Sequence, residues 1–322
     1  MNIATDSGQP DSYQQTTIDD VDTGVVNHQQ FLQSLSNEER RKLTAKTNSH
    51  AAFRLVFLVM LQVALATWVL QGWTAWQLFL LPLGILNISL FHLMHECIHW
   101  TAFRTRFLNR LISAYCGFVL FLPASWFRFF HVAHHRHTQD LKHDPELLTA
   151  KPASRLAWVI HITGLNIWLD SARLFLAGVR GNVEGDFIPD DQRAAVVKET
   201  RLMMVTYGLL FLLSVMLKSS VLLWIWLLPN LLGQPFLRLY LLAEHGNCAL
   251  SDNMFENTRT VFTHPLLRWF TWNMSYHTEH HAYAAVPFHR LPLLHAKMKG
   301  KLVNTSEGYF AFNSRYFKKL PV

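Results

Sequence analysis

The chain has 322 residues, half of them hydrophobic and only 16% charged, against roughly 25% charged residues in ordinary soluble domains. This composition argues against a soluble enzyme and, because the hydrophobic residues occur in long runs, favours an integral membrane protein. The formal charge of +7 fits a basic cytoplasmic face better than a nucleic-acid site, so we expect membrane lipids and no nucleic acid among the partners.

The first 50 residues are polar, and we predict a cytoplasmic N-terminal segment that is partly disordered. Within it, residues 31–46 are expected to form a short helix that starts with a capping box of Ser36 and Glu39. No cleavable signal peptide is recognisable, so membrane insertion is expected to begin at the first internal apolar helix. The three cysteines show no paired spacing, which favours free thiols over a disulfide.

Four uncharged stretches predict transmembrane helices. They are residues 55–72, 76–92, 202–217 and 221–237. Each approaches the roughly 20 residues that a helix needs to cross the hydrocarbon, and very short links join them into two hairpins. Pro229, Gly233 and Pro235 predict a kink in the fourth helix.

Two more apolar stretches, 111–127 and 156–179, are interpreted as lying in the interface or dipping into the membrane without crossing it. Lys218 is the only basic residue in the two hairpin links, so the positive-inside rule places both termini and the central loop in the cytoplasm. We therefore predict an all-α integral membrane protein with four transmembrane helices in two hairpins, interfacial helices and a cytoplasmic histidine-rich cap. The membrane domain is expected at 51–305 and a cytoplasmic C-terminal tail at 306–322.

Three histidine motifs are the strongest functional signal in the chain, which contains 18 histidines. They are His95-Glu96-Cys97-Ile98-His99, then His131, His134 and His135, and finally His277, His280 and His281. On a helix, residues at positions i, i+3 and i+4 share one face, so each motif aims its imidazoles in one direction. With four crossings all three motifs lie on the same side of the membrane.

Neutral imidazole is the commonest protein ligand for a metal, and the three motifs hold too many histidines for one tetrahedral zinc ion. They suit two metal ions with about four or five nitrogen ligands each, which leaves positions open for dioxygen or a bridging water. His245 follows the fourth predicted span and is either a ninth ligand or a helix-end histidine. His92, one turn before His95, is a further possible ligand.

Carboxylates near the motifs are candidates for holding the ligating histidines. They are Glu96, Asp140, Asp144 and Glu279. Each is expected to accept the second ring N–H of a ligating imidazole, although simple solvation is the alternative for Asp140 and Asp144. His137 and His143 are expected to have a supporting or solvent-exposed role.

The motifs resemble those of the membrane fatty acid desaturase/hydroxylase superfamily, whose three histidine boxes are HxxxH, HxxHH and HxxHH. The matching segments are 95-HECIH-99, 131-HVAHH-135 and 277-HTEHH-281. The third box lies in a stretch similar to bacterial members, 272-WNMSYHTEHHAYAAVPFHRLPLLH-295, with Ala284 where many members have proline. The segment 138-TQDLKHDPEL-147 resembles both desaturases and carotenoid ketolases.

This resemblance implies a non-haem di-iron centre, cycling between Fe2+ and Fe3+, with O2 as co-substrate and the boxes at the cytoplasmic face of a bacterial inner membrane. The implied substrate is a lipid or fatty acyl chain, desaturated in an EC 1.14.19-type reaction, with lipid or carotenoid hydroxylation or ketolation as the alternative. Because no HPGG haem motif is fused to the chain, electrons are expected from a separate carrier of ferredoxin, rubredoxin or cytochrome type and its reductase.

Two other classes of protein could also contain histidine motifs of this kind. An intramembrane zinc protease would use His95 and His99 as ligands and Glu96 as general base, but it leaves both HxxHH motifs unexplained. A metal transporter predicts ligands near the bilayer midplane, whereas these motifs are expected at one interface.

Overall fold

The computed structural model describes residues 27–321, and the predictions for residues 1–26 lie outside this range. The first eight helices are α1 His28–Ser34, α2 Asn37–Leu43, α3 Ser49–Leu70, α4 Leu80–Ile98, α5 Arg106–Leu120, α6 Ala124–His137, α7 Arg155–Thr163 and α8 Leu165–Arg180. The others are α9 Asp190–Met216, α10 Leu228–His245, α11 Met254–Asn257, α12 Pro265–Phe270, α13 His277–Ala282, α14 Leu291–Met298 and α15 Tyr309–Lys319. Short 3₁₀ turns cover Trp76–Phe79, Pro145–Leu148, Phe288–Arg290 and Lys299–Lys301, and a π-helical turn covers Leu223–Leu227.

Within residues 27–321, three helices are long and apolar enough to cross a membrane: Ser49–Leu70, Trp76–Ile98 and Asp190–Met216. They contain the second predicted span in full and all but the last one or two residues of the first and third. The fourth predicted span, 221–237, is not one regular helix, because it begins with the π-helical turn and continues into α10. Pro229 in the first turn and Pro235 in the interior of α10 have no amide donor, which accounts for this irregularity.

The two hairpin links lie at the same end of the molecule. The indole of Trp76, which follows the first link, meets that of Trp224, which follows the second, edge-on at 5.1 Å between ring centroids. Helices α4 and α10 then run side by side with their backbones nearly touching, since a Cβ added to Gly84 would lie 2.2 Å from the carbonyl oxygen of Pro229. Small residues allow this close approach in membrane helix pairs.

The stretch 111–127 does not run straight. Helices α5 and α6 meet at an angle of 100°, with Phe121 in the left-handed region and Pro123 before the first residue of α6. The Glu199 carboxylate of α9 accepts hydrogen bonds from the amides of Ala124 and Ser125 at 3.0 and 2.9 Å, so it caps the N-terminus of α6. The bend points α6 and its histidines away from the direction of α5.

The stretch 156–179 is also divided, into α7 and α8, at Gly164 with φ 70°. These helices have 9 and 16 residues, so each is shorter than the roughly 20 residues of a crossing helix. Their lengths agree with segments that do not span the membrane alone.

The predicted short helix at residues 31–46 is confirmed in part. Residues 31–46 form parts of two helices rather than one, and α2 begins with the predicted capping box, in which Ser36 and Glu39 each bind the backbone amide of the other. Phe31 and Leu43 are buried in the main hydrophobic core. The three cysteines are free, as expected.

The all-α prediction omitted a small sheet, in which β1 Arg259–Val261 pairs in parallel with β2 Asn304–Ser306. Three-residue strands are too short to show an alternating pattern in the sequence. The segment 306–322, expected to be a tail, contains α15, whose Phe312 and Tyr316 are buried against the end of α10. The last helix thus packs beside the element that carries His245.

Candidate metal centre

Four elements bring the histidine motifs together at the end of the molecule opposite the hairpin links. The C-terminal turn of α4 carries His95 and is followed by His99, α6 carries the second motif, and α13 carries the third. The last residue of α10 is His245. These histidines form two adjacent groups.

The first group combines five histidines from three motifs: His95, His99, His131, His135 and His280. Each offers a ring nitrogen, and these nitrogens all lie within 4.8 Å of one another. The Nε2 atom of His135 lies 2.9 Å from that of His131 and 3.1 Å from that of His280.

The second group contains His134, His245 and His281. The Nε2 atom of His245 lies 3.2 Å from that of His134 and 3.1 Å from that of His277, so His277 borders the same point. Neighbouring residues in α6 and in α13 supply different groups, because successive side chains on a helix point about 100° apart. The two groups meet where the ring of His135, from the first group, stacks on the ring of His281, from the second, at 4.0 Å between ring centroids.

The donor set fits metal ions better than a hydrogen-bond network. An Nε2 atom has one lone pair or one N–H in the ring plane, so it cannot form linear hydrogen bonds with two other Nε2 atoms, as His135 and His245 would require. Two nitrogens each about 2.1 Å from a common ion are about 3.0 Å apart at 90° and about 3.4 Å apart at the tetrahedral angle. The observed 2.9–3.2 Å agrees with the smaller angle of five- or six-coordinate ions.

The opposite ring nitrogens of the second group are held by the protein. The Nδ1 atom of His134 donates to the Asp144 carboxylate at 2.9 Å, and that of His245 donates to the Asn257 carbonyl oxygen at 3.1 Å. The Nδ1 atom of His281 lies 3.2 Å from the Thr138 hydroxyl. These contacts leave each Nε2 lone pair directed at the group, which is how outer hydrogen bonds fix a metal-binding histidine.

Three of the four predicted carboxylates have partners other than a histidine of the boxes. The Glu96 side chain accepts the Phe288 amide at 3.0 Å. Glu279 accepts the Thr260 hydroxyl and contacts His295, and Asp140 contacts His143. Among the four, only Asp144 binds a histidine of the boxes within the described chain.

Two carboxylates that sequence reasoning missed lie beside the second group. The Glu146 carboxylate is 3.3 Å from His134 Nε2, and the Glu244 carboxylate is 3.2 Å from His277 Nδ1. Glu244 precedes His245 in the chain, and Glu146 follows Asp144 by two residues. These short separations in the sequence from His245 and Asp144 were the signal that could have identified both carboxylates.

The remaining histidines lie outside both groups. His92 is buried against the Tyr240 ring, at 4.5 Å between centroids, and neither of its ring nitrogens has a hydrogen-bond partner. His137 and His143 form a separate group with Asp140. His92 is therefore not placed with the ligating nitrogens.

The protease reading is not supported by this arrangement. His95 and His99 share their group with three histidines from α6 and α13, and the Oε2 atom of Glu96 accepts the Phe288 backbone amide. A zinc protease would need Glu96 to activate a metal-bound water.

Comparison with known proteins gives a consistent answer. The family model described as fatty acid desaturase matches residues 71–313. The sphingolipid delta(4)-desaturase/C4-monooxygenase of Mus musculus is 27% identical over 268 residues, covering 79% of this chain and 75% of the mouse protein. The proteins of the same name from Rattus norvegicus and Homo sapiens are 26% and 25% identical, with the same shares covered.

The family match covers all three histidine motifs and much more than half of the chain. It includes His245 and the bend between α5 and α6. The chain therefore belongs to the fatty acid desaturase family, and it is an oxidoreductase of the desaturase type.

Proposed function

We propose that this protein is a membrane-bound, O2-dependent di-iron desaturase that removes two hydrogens from a fatty acyl or other lipid chain. The observation that carries the proposal is the pair of adjacent, buried groups of imidazole nitrogens, each arranged around one point. Imidazole suits iron, and the spacing of the nitrogens favours more than four ligands.

In this proposal the first ion is held by His95, His99, His131, His135 and His280. The second is held by His134, His245, His277 and His281. Two bound iron ions would supply the activation of dioxygen and the removal of hydrogen from an unactivated C–H bond, which zinc cannot do because it has no redox chemistry.

The protein's own residues hold and shield this centre. Asp144 and the Asn257 carbonyl oxygen keep the His134 and His245 rings turned toward the second ion. Glu146 lies near His134 Nε2, close enough to complete the surroundings of the same ion, whereas Glu244 contacts His277 on Nδ1, the nitrogen turned away from that ion. Because most of these side chains are buried, water reaches the centre poorly, which protects an oxidising site from side reactions.

The helix lengths support a membrane arrangement for this proposal. The histidine end of the candidate span Trp76–Ile98 lies about 30 Å from Trp76, close to the thickness of the hydrocarbon layer. We place the centre and both termini at the cytoplasmic face of a bacterial inner membrane, with residues 51–305 as the catalytic domain. Electrons would come from a separate ferredoxin, rubredoxin or cytochrome-type carrier and its reductase, steered by the basic face.

Expression in a host that lacks the activity tests the proposal. Membranes with the wild-type protein should gain a lipid with one more double bond, and the purified protein should contain two iron ions per chain. His134→Ala and His280→Ala should each lose the product and part of the iron, whereas His264→Ala, outside both groups, should retain both. A single zinc ion per chain, or full activity of both histidine variants, would contradict the proposal.

Hydroxylation is a second candidate, because the names of the mouse, rat and human relatives contain both a desaturase and a monooxygenase activity. Both reactions begin with hydrogen removal, and the position of the substrate carbon decides the outcome. Incubation under 18O2 distinguishes them, since only hydroxylation or ketone formation introduces labelled oxygen into the lipid.

A further inference from the structure

A third group of potential ligands lies on the loop after α6, outside the buried centre. It consists of His137, Asp140 and His143, which offer ligand atoms that all lie within 4.8 Å of one another. The Nδ1 atom of His143 is 2.6 Å from an Asp140 carboxylate oxygen, and the Nδ1 atom of His137 is 4.0 Å from the same oxygen. The two imidazole rings are 5.2 Å apart between centroids.

This group faces solvent. Its side chains are 35%, 41% and 60% exposed in chain order, whereas the histidines of the two central groups are largely buried. His137 and Asp140 also line a cavity of about 300 Å³, whose lining includes one further acidic residue, Asp252, and one basic residue, Arg136. An ion could therefore enter from water without passing through the protein.

We propose that His137, Asp140 and His143 form a separate, solvent-facing site for a divalent transition-metal ion such as Zn2+. Two imidazoles and one carboxylate are a common ligand set for such ions, and water from the cavity would fill the remaining positions. Ligand atoms of a shared ion are about 3.0–3.4 Å apart, so the His137 ring needs to move by less than about 1 Å.

Asp140 is prepared to act as the anionic ligand. The amide of Lys142 and the imidazole of His143 donate to its carboxylate and hold its pKa below the usual value. When an ion binds the Nδ1 atom of His143, the proton that now faces Asp140 moves to the Nε2 atom of the same ring, so the neutral imidazole is the ligand. The Asp140 carboxylate supplies the negative charge without losing a proton.

The same loop reaches the buried centre. The Asp144 amide donates to the Asp140 carbonyl oxygen at 2.9 Å, and the Asp144 carboxylate accepts the Gln139 amide and binds His134. An ion held by residues 137–143 would therefore fix the loop that orients His134. Ion binding by His137, Asp140 and His143 does not require a particular metal or reaction at the buried centre.

The test uses the purified full-length protein with its buried metals in place and without an affinity tag. Equilibrium dialysis against buffered Zn2+ is followed by measurement of zinc and native metal per chain, with X-ray absorption at the zinc edge. We expect one zinc ion beyond an unchanged native metal content, with about two imidazole neighbours.

His143→Gln and Asp140→Asn should each weaken zinc binding at least tenfold, and His264→Gln serves as the matched control. Unchanged native metal content and elution volume show that each variant is folded, and the two variants provide independent evidence. Equal zinc binding by wild type and both variants overturns the proposal. No additional zinc in the wild type, or zinc gained only as native metal is lost, overturns it as well.

Discussion

Asp144 connects the loop after α6 to the second histidine group through both of its carboxylate oxygens. One oxygen accepts His134 Nδ1 and the Glu146 amide, and the other accepts the Gln139 amide. A carboxylate in this position fixes the orientation of the imidazole and increases its basicity. We therefore propose that Asp144 positions His134 and is not itself a ligand.

We expect Asp144→Ala to weaken metal retention by the second group about 10- to 100-fold, the usual loss when such a partner is removed. Competition with a series of chelators of increasing strength would measure it. Asp170→Ala is the matched control, because Asp170 forms only an exposed pair with Arg173. Retention equal to wild type in Asp144→Ala would contradict the positioning role.

Spacing alone could predict which histidines of the motifs gather at one place, but not the contacts that support them. His131, His134 and His135 are recognisable because three imidazoles share a helix face. The Asn257 carbonyl oxygen that holds His245 is a backbone group of a residue with no motif of its own. Glu279 lies inside the third motif, yet its partners come from β1 and α14, so only the tertiary structure identifies them.

Helices α4 and α10 form the element pair that fixes the distance between the first motif and His245. Gly84 lies 11 residues before His95 and Gly233 lies 12 residues before His245, so the glycine contact is about 17 Å from both histidines along the helices. A Cβ added to Gly233 would lie 2.5 Å from the Gly84 carbonyl oxygen, which is backbone and cannot rotate away. Any residue larger than glycine must therefore separate the two helices.

Gly233→Ala should lower stability by about 1–3 kcal/mol, the usual effect of overpacking, and should reduce the metal content because His245 is displaced relative to His95. Loss of monodisperse protein after heating, with metal analysis of the surviving fraction, measures both effects. Gly208→Ala in α9 is the control, since its Cβ would meet no atom within 4 Å. Equal heat resistance of the two variants would show that the close approach is not required.

The sequence could predict that residues 111–127 do not form a crossing helix, but it could not predict the bend between α5 and α6. Residues 111–127 are uncharged, and a crossing helix there would have separated the second motif from the others. The structure supplies the cause of the bend, because Glu199 from α9 caps α6 at Ala124 and Ser125. A cap from a residue about 75 positions away has no local sequence signal.

At the scale of the whole molecule, hydropathy indicated a membrane protein with long helices, and three described helices meet that expectation. The fourth predicted span differs because it begins with the π-helical turn and because α10 carries buried polar residues such as Asn230, which donates to the Val119 carbonyl oxygen of α5, and Gln234, which packs against Gly164. Hydropathy averages over all faces of a helix, so it cannot separate a lipid-facing surface from a polar inner one. The small sheet and the packing of α15 were missed for a different reason, because both depend on contacts between segments that are far apart in the sequence.

The overall topology predicts opposite accessibility for the two ends of the molecule. The link between α9 and α10 contains Ser220, which is exposed and lies at the end that holds both hairpin links. Leu141 and Glu307 are exposed near the histidine end, after the second and third motifs. Single cysteines at these positions therefore report which end faces the outside of the cell.

In intact cells, a membrane-impermeant thiol reagent should label Ser220→Cys and should label Leu141→Cys and Glu307→Cys only after the membrane is opened. The background is Cys248→Ser, because Cys97 and Cys116 are buried and Cys248 is the partly accessible native thiol. Labelling of Leu141→Cys but not Glu307→Cys from outside would place the second and third motifs on opposite faces. Since their histidines must then be too far apart to share an ion, that result would exclude the two-group centre altogether.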